Sequence, residues 1–440
     1  MKKLLLISTA ILGLAVASPV VQADTNVSAG SAAWRPNLLI SGQSSFSSHF
    51  FKNSRRDENG GKGRGTHFAV EDSTLAFEVR GKAEAFAGID YGYRLSIDGD
   101  SGKTVTSNLK DNYFTLKNDY GTIQGGNANG AEDLTRGAYN LMGATGGWAG
   151  NYKNAVAVST GAVVTDDLKG HTKRAAKVTY FTPRFWGLMG AISYAPDSKQ
   201  LGETKLSSKT NPNVATGNSV FEGKAFGQNV WSFLVDFSRK LGYGFDINLS
   251  VSKMLGNTKS GVSTTGTQFI ENIRSWSLGG DIGYTYGDNI FRLGGEYTDN
   301  QKSMLAKALH PTNATTYRFK DGNAGKVWAV AGSYEIGSYK VAYGYFHSKR
   351  DLGKFARGAG NFTDLGDATA KVHSVTLDKK MAPGWSLYAE FNHFNFKTTD
   401  QAVALQNEVK NIAGSQYSSL DDGVKTNKGH SVIVGTKIKF

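Results

Sequence analysis

Apolar and polar residues alternate with a period of two in many segments of the chain, as far as its last residue. In residues 243–252 one set of alternate positions is apolar, namely Tyr243, Phe245, Ile247, Leu249 and Val251. The positions between them are glycine or polar and include the ionisable Asp246. Successive side chains point to opposite faces of a β-strand, so the pattern predicts a strand with one apolar and one polar face.

The repeated alternation predicts 16 strands. Their predicted positions are 38–50, 72–81, 85–98, 111–118, 120–126, 174–182, 185–195, 229–239, 243–254, 273–286, 289–299, 326–336, 338–348, 370–380, 384–396 and 429–440. An even number of antiparallel strands with two-faced alternation is typical of bacterial outer-membrane barrels.

The connectors between these strands are alternately short and long. Short ones include 118–121, 242–244, 286–289 and 336–338, whereas the long ones cover roughly 51–71, 99–110, 127–173, 196–228, 255–272, 300–325, 349–369 and 397–428. Short periplasmic turns and long external loops are the expected asymmetry of an outer-membrane barrel. A soluble β-sandwich would also alternate its faces, but it gives no reason for this order of connectors. In hydrocarbon only a closed sheet leaves no unpaired edge, and the predicted fold is therefore an all-β transmembrane antiparallel barrel.

The first residues have the organisation of a signal peptide. Lys2 and Lys3 precede an apolar stretch at 4–16, and small residues lie at the −3 and −1 positions of a cleavage site after Ala23. The apolar stretch is shorter than the roughly 20 residues of a membrane-spanning helix. We expect residues 1–23 to be removed on export and residues 24–440 to form the barrel domain.

Composition narrows the function classes. The chain has 440 residues, 54 glycines and no cysteine, which excludes a disulfide framework, a zinc ribbon and a cysteine nucleophile. Mean hydropathy is −0.35, so the chain is not a bundle of transmembrane helices. The 50 Lys and Arg against 37 Asp and Glu leave a net charge of +13, but these charges are interleaved with apolar positions, which argues against nucleic-acid binding. No grouping of catalytic or metal-ligating residues is evident, and we predict neither enzymatic activity nor a cofactor or metal.

Aromatic residues near strand ends agree with a membrane barrel. They are Trp186, Tyr194, Trp231, Tyr243, Trp276, Tyr284, Tyr286, Trp328, Tyr339 and Trp385. Aromatic girdles mark both membrane–water interfaces of such barrels, although aromatic residues also favour strands in general.

Three local features resemble the Gram-negative general porin family. They are the block 72–84 followed by 91–95, the strand–turn–strand segment 112–126, and the terminal Phe440 on an alternating strand. The resemblance implies a homotrimer of 16-stranded barrels, each with its own water-filled pore. It also implies that the third external loop, residues 127–173 here, folds into the lumen as a constriction.

In this family, acidic residues of the third loop face a basic cluster on the barrel wall. The loop carries Glu132, Asp133 and Arg136 near its start. By strand alternation, four basic residues should point into the lumen, namely Arg80, Arg94, Lys117 and Lys177. Opposed charges across a narrow pore would produce a transverse field that orients dipolar solutes and disfavours apolar ones. These seven residues are the predicted constriction site.

The last strand carries a second predicted function. Phe440, Ile438 and Val434 lie on one face of it, together with Val432. The family resemblance implies that this face is recognised by the machinery that assembles outer-membrane barrels. Outer-membrane lipid and lipopolysaccharide are the other expected partners, with the external loops carrying much of the excess positive charge.

The predicted function is passive diffusion of small hydrophilic solutes and ions through an outer-membrane porin of a Gram-negative bacterium. A porin selective for phosphate, sugars or amino acids is one alternative, and a barrel that acts mainly as an adhesin or surface receptor is another. Ion preference stays open because inward-facing positions carry both signs. The acidic set is Glu78, Asp98, Asp236, Asp246, Asp281, Glu296 and Glu390, and Arg292 joins the basic residues named above.

Overall fold

A computed structural model of the chain describes most of the residues beyond position 35. The described ranges are 36–54, 63–83, 88–99, 109–198 without 136, 144–145, 157, 160, 165–167, 169–171 and 173–174, then 225–412 without 261, 264–265 and 312–315, and 425–440. The expected signal peptide at 1–23 and the predicted site residue Arg136 lie outside the described residues. Within the described ranges no helix has both the length and the apolar character needed to cross a membrane.

The described residues form 22 strands and one α-helix, numbered along the chain. They are β1 (Asn37–Asn53), β2 (Arg64–Ala83), β3 (Ile89–Asp98), β4 (Leu109–Asn118), β5 (Gly121–Asn127), β6 (Ala176–Phe181), β7 (Leu188–Asp197), β8 (Ala225–Gly242), β9 (Phe245–Ser260), β10 (Val262–Ser263), β11 (Gly266–Ile270), β12 (Ile273–Tyr286), β13 (Asn289–Asp299), β14 (Ala306–Pro311), β15 (Tyr317–Lys320), β16 (Lys326–Ile336), β17 (Tyr339–Asp351), β18 (Lys354–Arg357), β19 (Thr363–Asp364), β20 (Asp367–Ala382), β21 (Trp385–Lys397), α1 (Asp400–Ile412) and β22 (Thr426–Lys439).

Sixteen of these strands form a closed antiparallel barrel. Its order is β1–β9, β12, β13, β16, β17, β20, β21 and β22, and β22 pairs with β1 to close it. The prediction of a 16-stranded barrel is confirmed, and β12, β13 and β16 have the predicted bounds. Other strands, such as β2 and β9, extend further toward the external end than predicted. Their backbone pairing continues beyond the point where the alternation of apolar and polar residues fades.

Exposure follows the opposite rule from that of a soluble protein. On β9 the outward Leu249 is 45% exposed, whereas the lumen-facing Ser250 is only 2% exposed. A continuous apolar outer surface of this kind requires a nonpolar solvent, because monomeric soluble proteins rarely expose apolar patches beyond a few hundred Å².

The barrel closes where the chain ends. The Phe440 backbone N–H donates to the Gly42 carbonyl at 3.0 Å, and the Gly42 N–H donates to the Phe440 carbonyl at 2.9 Å. A Cβ atom on residue 42 would lie 2.6 Å from the Phe440 ring and 2.9 Å from the Thr74 carbonyl oxygen. Glycine at this position therefore allows the terminal aromatic ring to lie close to β1.

A second sheet, which the sequence pattern does not predict, lies on the external side. It has the order β10, β11, β14, β15, β18 and β19, so it is built from the fifth, sixth and seventh external loops. Helix α1 of the eighth loop packs against it through a buried cluster that contains Tyr317, Leu352, Leu365 and Leu405. The Tyr317 hydroxyl donates to the Glu408 carboxylate at 2.5 Å. Four external loops thus form one packed unit.

Candidate functional site: the lumen and the third loop

The third external loop lies against the inner wall of the barrel. After β5 it forms short 3-10 helices at Ala131–Leu134, Ala138–Leu141, Gly147–Ala149 and Asn151–Ala155. These helices contact, in turn, β7–β9, then β12, β13, β16 and β17, then β17, β20 and β21, and finally β22 and β1. The loop then doubles back, because Ser348 on β17 donates a hydrogen bond to the Val163 carbonyl, and Leu168 packs near β7, β8, β9 and β12.

Acidic residues of the wall hold this loop by accepting hydrogen bonds from it. Glu296 on β13 accepts the Ala138 N–H at 2.8 Å, and Glu390 on β21 accepts the Gly147 N–H at 3.0 Å. Glu71 on β2 accepts the side-chain amide of Asn151 at 3.0 Å. All three carboxylates are buried. Leaving a buried donor or acceptor unsatisfied costs about 1–3 kcal/mol, so each contact fixes one point of the loop.

Apolar contacts reinforce these hydrogen bonds. Trp148 of the loop is fully buried and its ring centroid lies 6.4 Å from that of Phe346 on β17. Tyr152 lies 6.3 Å from Phe394 on β21, and burial, aided by the Glu390 carboxylate, raises the pKa of its phenol. Gly344 on β17 makes room for Trp148, since a Cβ atom there would overlap the indole ring. The loop therefore packs into the wall like part of a protein core.

The sequence contains a signal for this path that alternation alone does not use. On the barrel strands β16, β17, β20 and β21 several lumen-facing residues are apolar and buried against the loop. They include Val327, Ala329, Ala331, Ala342, Phe346, Ala370, Val372, Phe394 and Phe396. Where both faces of a barrel strand are apolar, one face meets lipid and the other must meet protein.

Glu132 has a different environment from the one expected. The residue is only 3% exposed. The carboxylate accepts hydrogen bonds from the Thr172 hydroxyl at 3.0 Å and from the Ser232 hydroxyl on β8. Glu132 therefore connects the loop to the wall. Its carboxylate does not face an open passage. Its neighbour Asp133 is exposed and accepts a hydrogen bond from the Asn129 side chain. Of the two acidic residues, only Asp133 therefore has a water-exposed side chain.

The predicted basic residues occupy three different environments. Arg80 and Arg94 face the lumen from β2 and β3 and flank Glu78, with Arg80 Nε 2.6 Å from Glu78 Oε1 and Arg94 Nη1 3.5 Å from Glu78 Oε2. Arg94 also lies 3.7 Å from Asp111 on β4. Lys117 is exposed next to the β4–β5 turn. Lys177 is buried and donates to the Ala128 carbonyl at 2.5 Å, so it holds the start of the third loop.

A second charged cluster, which includes a residue that sequence reasoning missed, lies on the opposite wall. Arg292 on β13 forms ion pairs with Asp246 on β9, at 3.0 Å, and with Asp281 on β12. Arg184, in the β6–β7 connector, lies 2.5 Å from Asp236 on β8. No alternation applies in a connector, so nothing in the sequence pattern pointed Arg184 inward. In a 16-stranded barrel β13 is eight strands from β3, and the two clusters therefore face each other across the lumen.

Taken together, an apolar outer belt, a charged water-accessible lumen and an inward-folded loop define a channel-forming transmembrane β-barrel. Comparison with known proteins gives the family. The sequence profile of the Gram-negative porins matches residues 8–399, and the chain belongs to this family.

Individual relatives are distant in sequence. An uncharacterized protein of Rickettsia prowazekii is 24% identical over 305 residues, which cover 62% of this chain and 59% of the relative. The chain thus matches little more than half the length of that relative. A protein of Rickettsia typhi is 23% identical over 398 residues, which cover 79% of this chain and 80% of the relative.

Two solved structures share the fold. An anion-selective porin from Comamonas acidovorans superposes with a TM-score of 0.51 at 14% identity, covering 92% of this chain and all of that one. The outer-membrane channel DcaP of Acinetobacter baumannii gives a TM-score of 0.50 at 11% identity, covering 92% and 97%. At these identities the likeness concerns the fold alone.

Proposed function

We propose that the protein is an outer-membrane channel through which small hydrophilic solutes and ions diffuse passively, without catalytic turnover. The observation that carries this proposal is a closed barrel whose lumen holds ion pairs accessible to water, with a third loop bound along its inner wall. Membership of the Gram-negative porins supports the outer-membrane location. Export by a cleaved signal peptide at 1–23 stays a prediction.

Selection in such a channel would come from size and from lumen charge. The third loop follows the inner wall from β7 round to β1, and the charged clusters around Arg94 and Arg292 line opposite walls. We infer that solutes pass between these clusters and the third loop. Each cluster mixes both signs, which favours a general channel over one dedicated to anions.

Self-association is supported by the length of two strands. The strands β5 and β6 have 7 and 6 residues, fewer than the roughly 9–11 that a strand needs to cross a bilayer, and the neighbouring β4 has 10. The outward residues of β4, β5 and β6 are nevertheless apolar and exposed, among them Phe114, Leu116, Ile123 and Val178. Contact with other copies would cover this low apolar face, and we propose the trimer implied by the family resemblance.

The terminal strand carries a further part of the proposal. The Phe440 ring is half exposed on the outer surface, in line with the outward Ile438 and Val434. This face is available to the assembly machinery before the barrel closes. Deleting Phe440 should therefore lower the amount of folded barrel in the outer membrane, measured by heat-dependent migration on gels, and unchanged amounts would contradict the assignment.

The decisive experiment is electrical recording from the purified, folded protein in a planar bilayer under a salt gradient. We expect open channels that close in three equal steps, and the sign of the reversal potential will give the ion preference. A folded protein that conducts no current would contradict the proposal. In that case the external sheet and α1 would become the candidate surface of an adhesin or receptor.

A further inference from the structure

Four adjacent strands near the closure of the barrel each carry one outward histidine, and together these residues are called the histidine row. They are His347 on β17, His373 on β20, His393 on β21 and His430 on β22. His373 pairs in register with His393, which pairs in register with His430. The rings of His373 and His393 lie 6.4 Å apart. Three of the four side chains are exposed and His347 is half-buried.

The histidine row lies at the external edge of the apolar belt. On β20 the outward residues, read toward the external end, are Leu377, Val375, His373 and Lys371, and on β22 they are Val434, Val432, His430 and Lys428. On β17 His347 is likewise followed by Lys349, whereas on β21 Asn395 lies between His393 and Lys397. On β16 and β12 a tryptophan takes the place of the histidine at this level. Trp328 is followed by Lys326, and Trp276 is followed by Arg274. Aromatic girdle residues mark the headgroup level, so the row stands at that level.

The surroundings of the row are aromatic or basic. Tyr345 packs on His373 with ring centroids 4.7 Å apart, and the Tyr343 hydroxyl lies 2.9 Å from His373 Nδ1. Trp328 packs on His347, and Lys52 of β1 pairs in register with His430.

Acidic residues stand further out. On the outward faces of the described parts of these four strands they are Asp351 and Asp367, both at the external ends, and Asp367 lies 2.8 Å from Lys349. The groups that face the row itself are therefore imidazoles, phenols and lysines.

A histidine side chain gains its positive charge between about pH 8 and pH 5. Protonation of the row's three exposed histidines would add up to three charges beside the lysines, at the depth where lipid phosphates lie. Each basic residue near an anionic membrane surface contributes about 1 kcal/mol of attraction. We propose that the histidine row and its lysines bind the phosphate groups of anionic outer-leaflet lipids, and that they bind them more tightly as the pH falls.

This inference depends on the proposed function only in that the barrel stands in an outer membrane. Lipid, rather than another copy of the chain, fits the surface for two reasons. The row lies on the thirteenth to sixteenth barrel strands, away from the low face at β4–β6. Protonated copies of the row would also repel one another.

The test uses the full folded protein in phosphatidylcholine vesicles with spin-labelled phosphatidylglycerol or spin-labelled phosphatidylcholine. Phosphatidylglycerol keeps one negative charge across the pH range used. Electron paramagnetic resonance measures the fraction of each labelled lipid that the protein immobilises. We expect the preference for phosphatidylglycerol to rise about threefold between pH 8 and pH 5.5. In the H373N/H393N/H430N variant it should stay at its pH 8 value, and K371Q/K428Q should lower it at both pH values.

Two variants serve as matched controls. H67N removes an exposed histidine on β2, and K379Q removes an outward lysine at the periplasmic end of β20, so both should behave like the unaltered protein. A lipid preference that ignores pH, or one that the triple variant retains, would overturn the proposal. Light scattering in detergent measures the oligomeric state of the same variants. If the triple variant loses oligomers instead of lipid preference, the row is an interface between copies and the lipid assignment is wrong. Conductance of the same samples tests the channel separately.

Discussion

Two parts of the inner wall use the same residue types for different purposes. The covered wall consists of the lumen-facing residues of β13, β16, β17, β20 and β21 under the third loop, where Glu296 and Glu390 are buried and accept loop hydrogen bonds. The open wall consists of the lumen-facing residues of β2–β4, where the Arg80 and Arg94 side chains are 53% and 33% exposed around Glu78.

The difference shows that facing the lumen does not by itself expose a charged residue to the water-filled passage. A carboxylate under the loop acts as a structural acceptor that is shielded from the passage. We expect a carboxylate on the open wall to contribute to the potential in the passage. Variants on either wall test this difference, and the largest effect is expected from the third loop itself.

Trp148→Ala should have the largest effect. Removing a fully buried tryptophan costs about 3–5 kcal/mol, and here that cost falls on the docking of the third loop. We expect higher and noisier single-channel conductance from a barrel that still resists unfolding in detergent. Trp186→Ala, which alters a largely exposed residue of the β6–β7 connector, is the control. Unchanged conductance for the Trp148 variant would show that the loop does not limit the passage.

Gly344→Ala tests the same packing from the wall side. The added methyl group overlaps the Trp148 ring, and overpacking of this kind costs about 1–3 kcal/mol. We expect a smaller rise in conductance and faster proteolysis within residues 127–173. Gly332→Ala is matched, because its nearest neighbour in space would be 3.7 Å away. Equal behaviour of the two variants would contradict the packing argument.

Glu390→Gln should loosen the loop without changing ion preference. The carboxylate accepts bonds from both the Gly147 N–H and the Asn392 amide, and a glutamine would turn its own NH2 group toward one of these donors. Leaving that donor unsatisfied costs about 1–3 kcal/mol of loop docking. Proteolysis of the loop should increase while the reversal potential stays constant. Glu335→Gln, beside Lys340 near the periplasmic turn, is the control for proteolysis. A shifted reversal potential in the Glu390 variant would contradict the expectation that carboxylates on the covered wall are shielded from the passage.

Glu78→Gln should change ion preference without loosening the loop, and its effect should be the smallest. Losing this negative charge beside Arg80 and Arg94 should move the reversal potential toward anion preference, and Arg94→Gln should move it toward cations. Exposed charges contribute about 0.2–1 kcal/mol, so the permeability ratio should change by at most about fivefold. The double variant should return close to the starting value. Loop proteolysis should stay constant in all three.

The barrel itself could be predicted from the sequence because alternation records which solvent each side chain meets. Leu249 and Ser250 differ in the sequence just as they differ in exposure. The bounds of β12 and β13 were predictable because short turns with glycine lie next to them. The alternation of apolar and polar residues, read together with the lengths of the connectors, was sufficient to predict the number of strands.

The candidate site was less predictable, because alternation gives the direction of a side chain but not its neighbours. Glu78 and Glu296 have the same local pattern, yet only Glu296 lies under the loop. Lys177 and Glu132 became structural contacts for the same reason. The roles of the seven predicted constriction residues in permeation stay a prediction. The external sheet could not be predicted, since β10 and β19 have two residues each and no periodicity can be read from so few.

The external sheet also has an evolutionary consequence. Loops that stand alone can change length or sequence independently, whereas the fifth, sixth and seventh loops share backbone pairs and are packed against α1. A change in one of them alters the supports of the others. Selection by antibodies, phages or host surfaces that acts on this part of the protein therefore acts on a single unit, and substitutions that preserve pairing should accumulate there in coordinated sets.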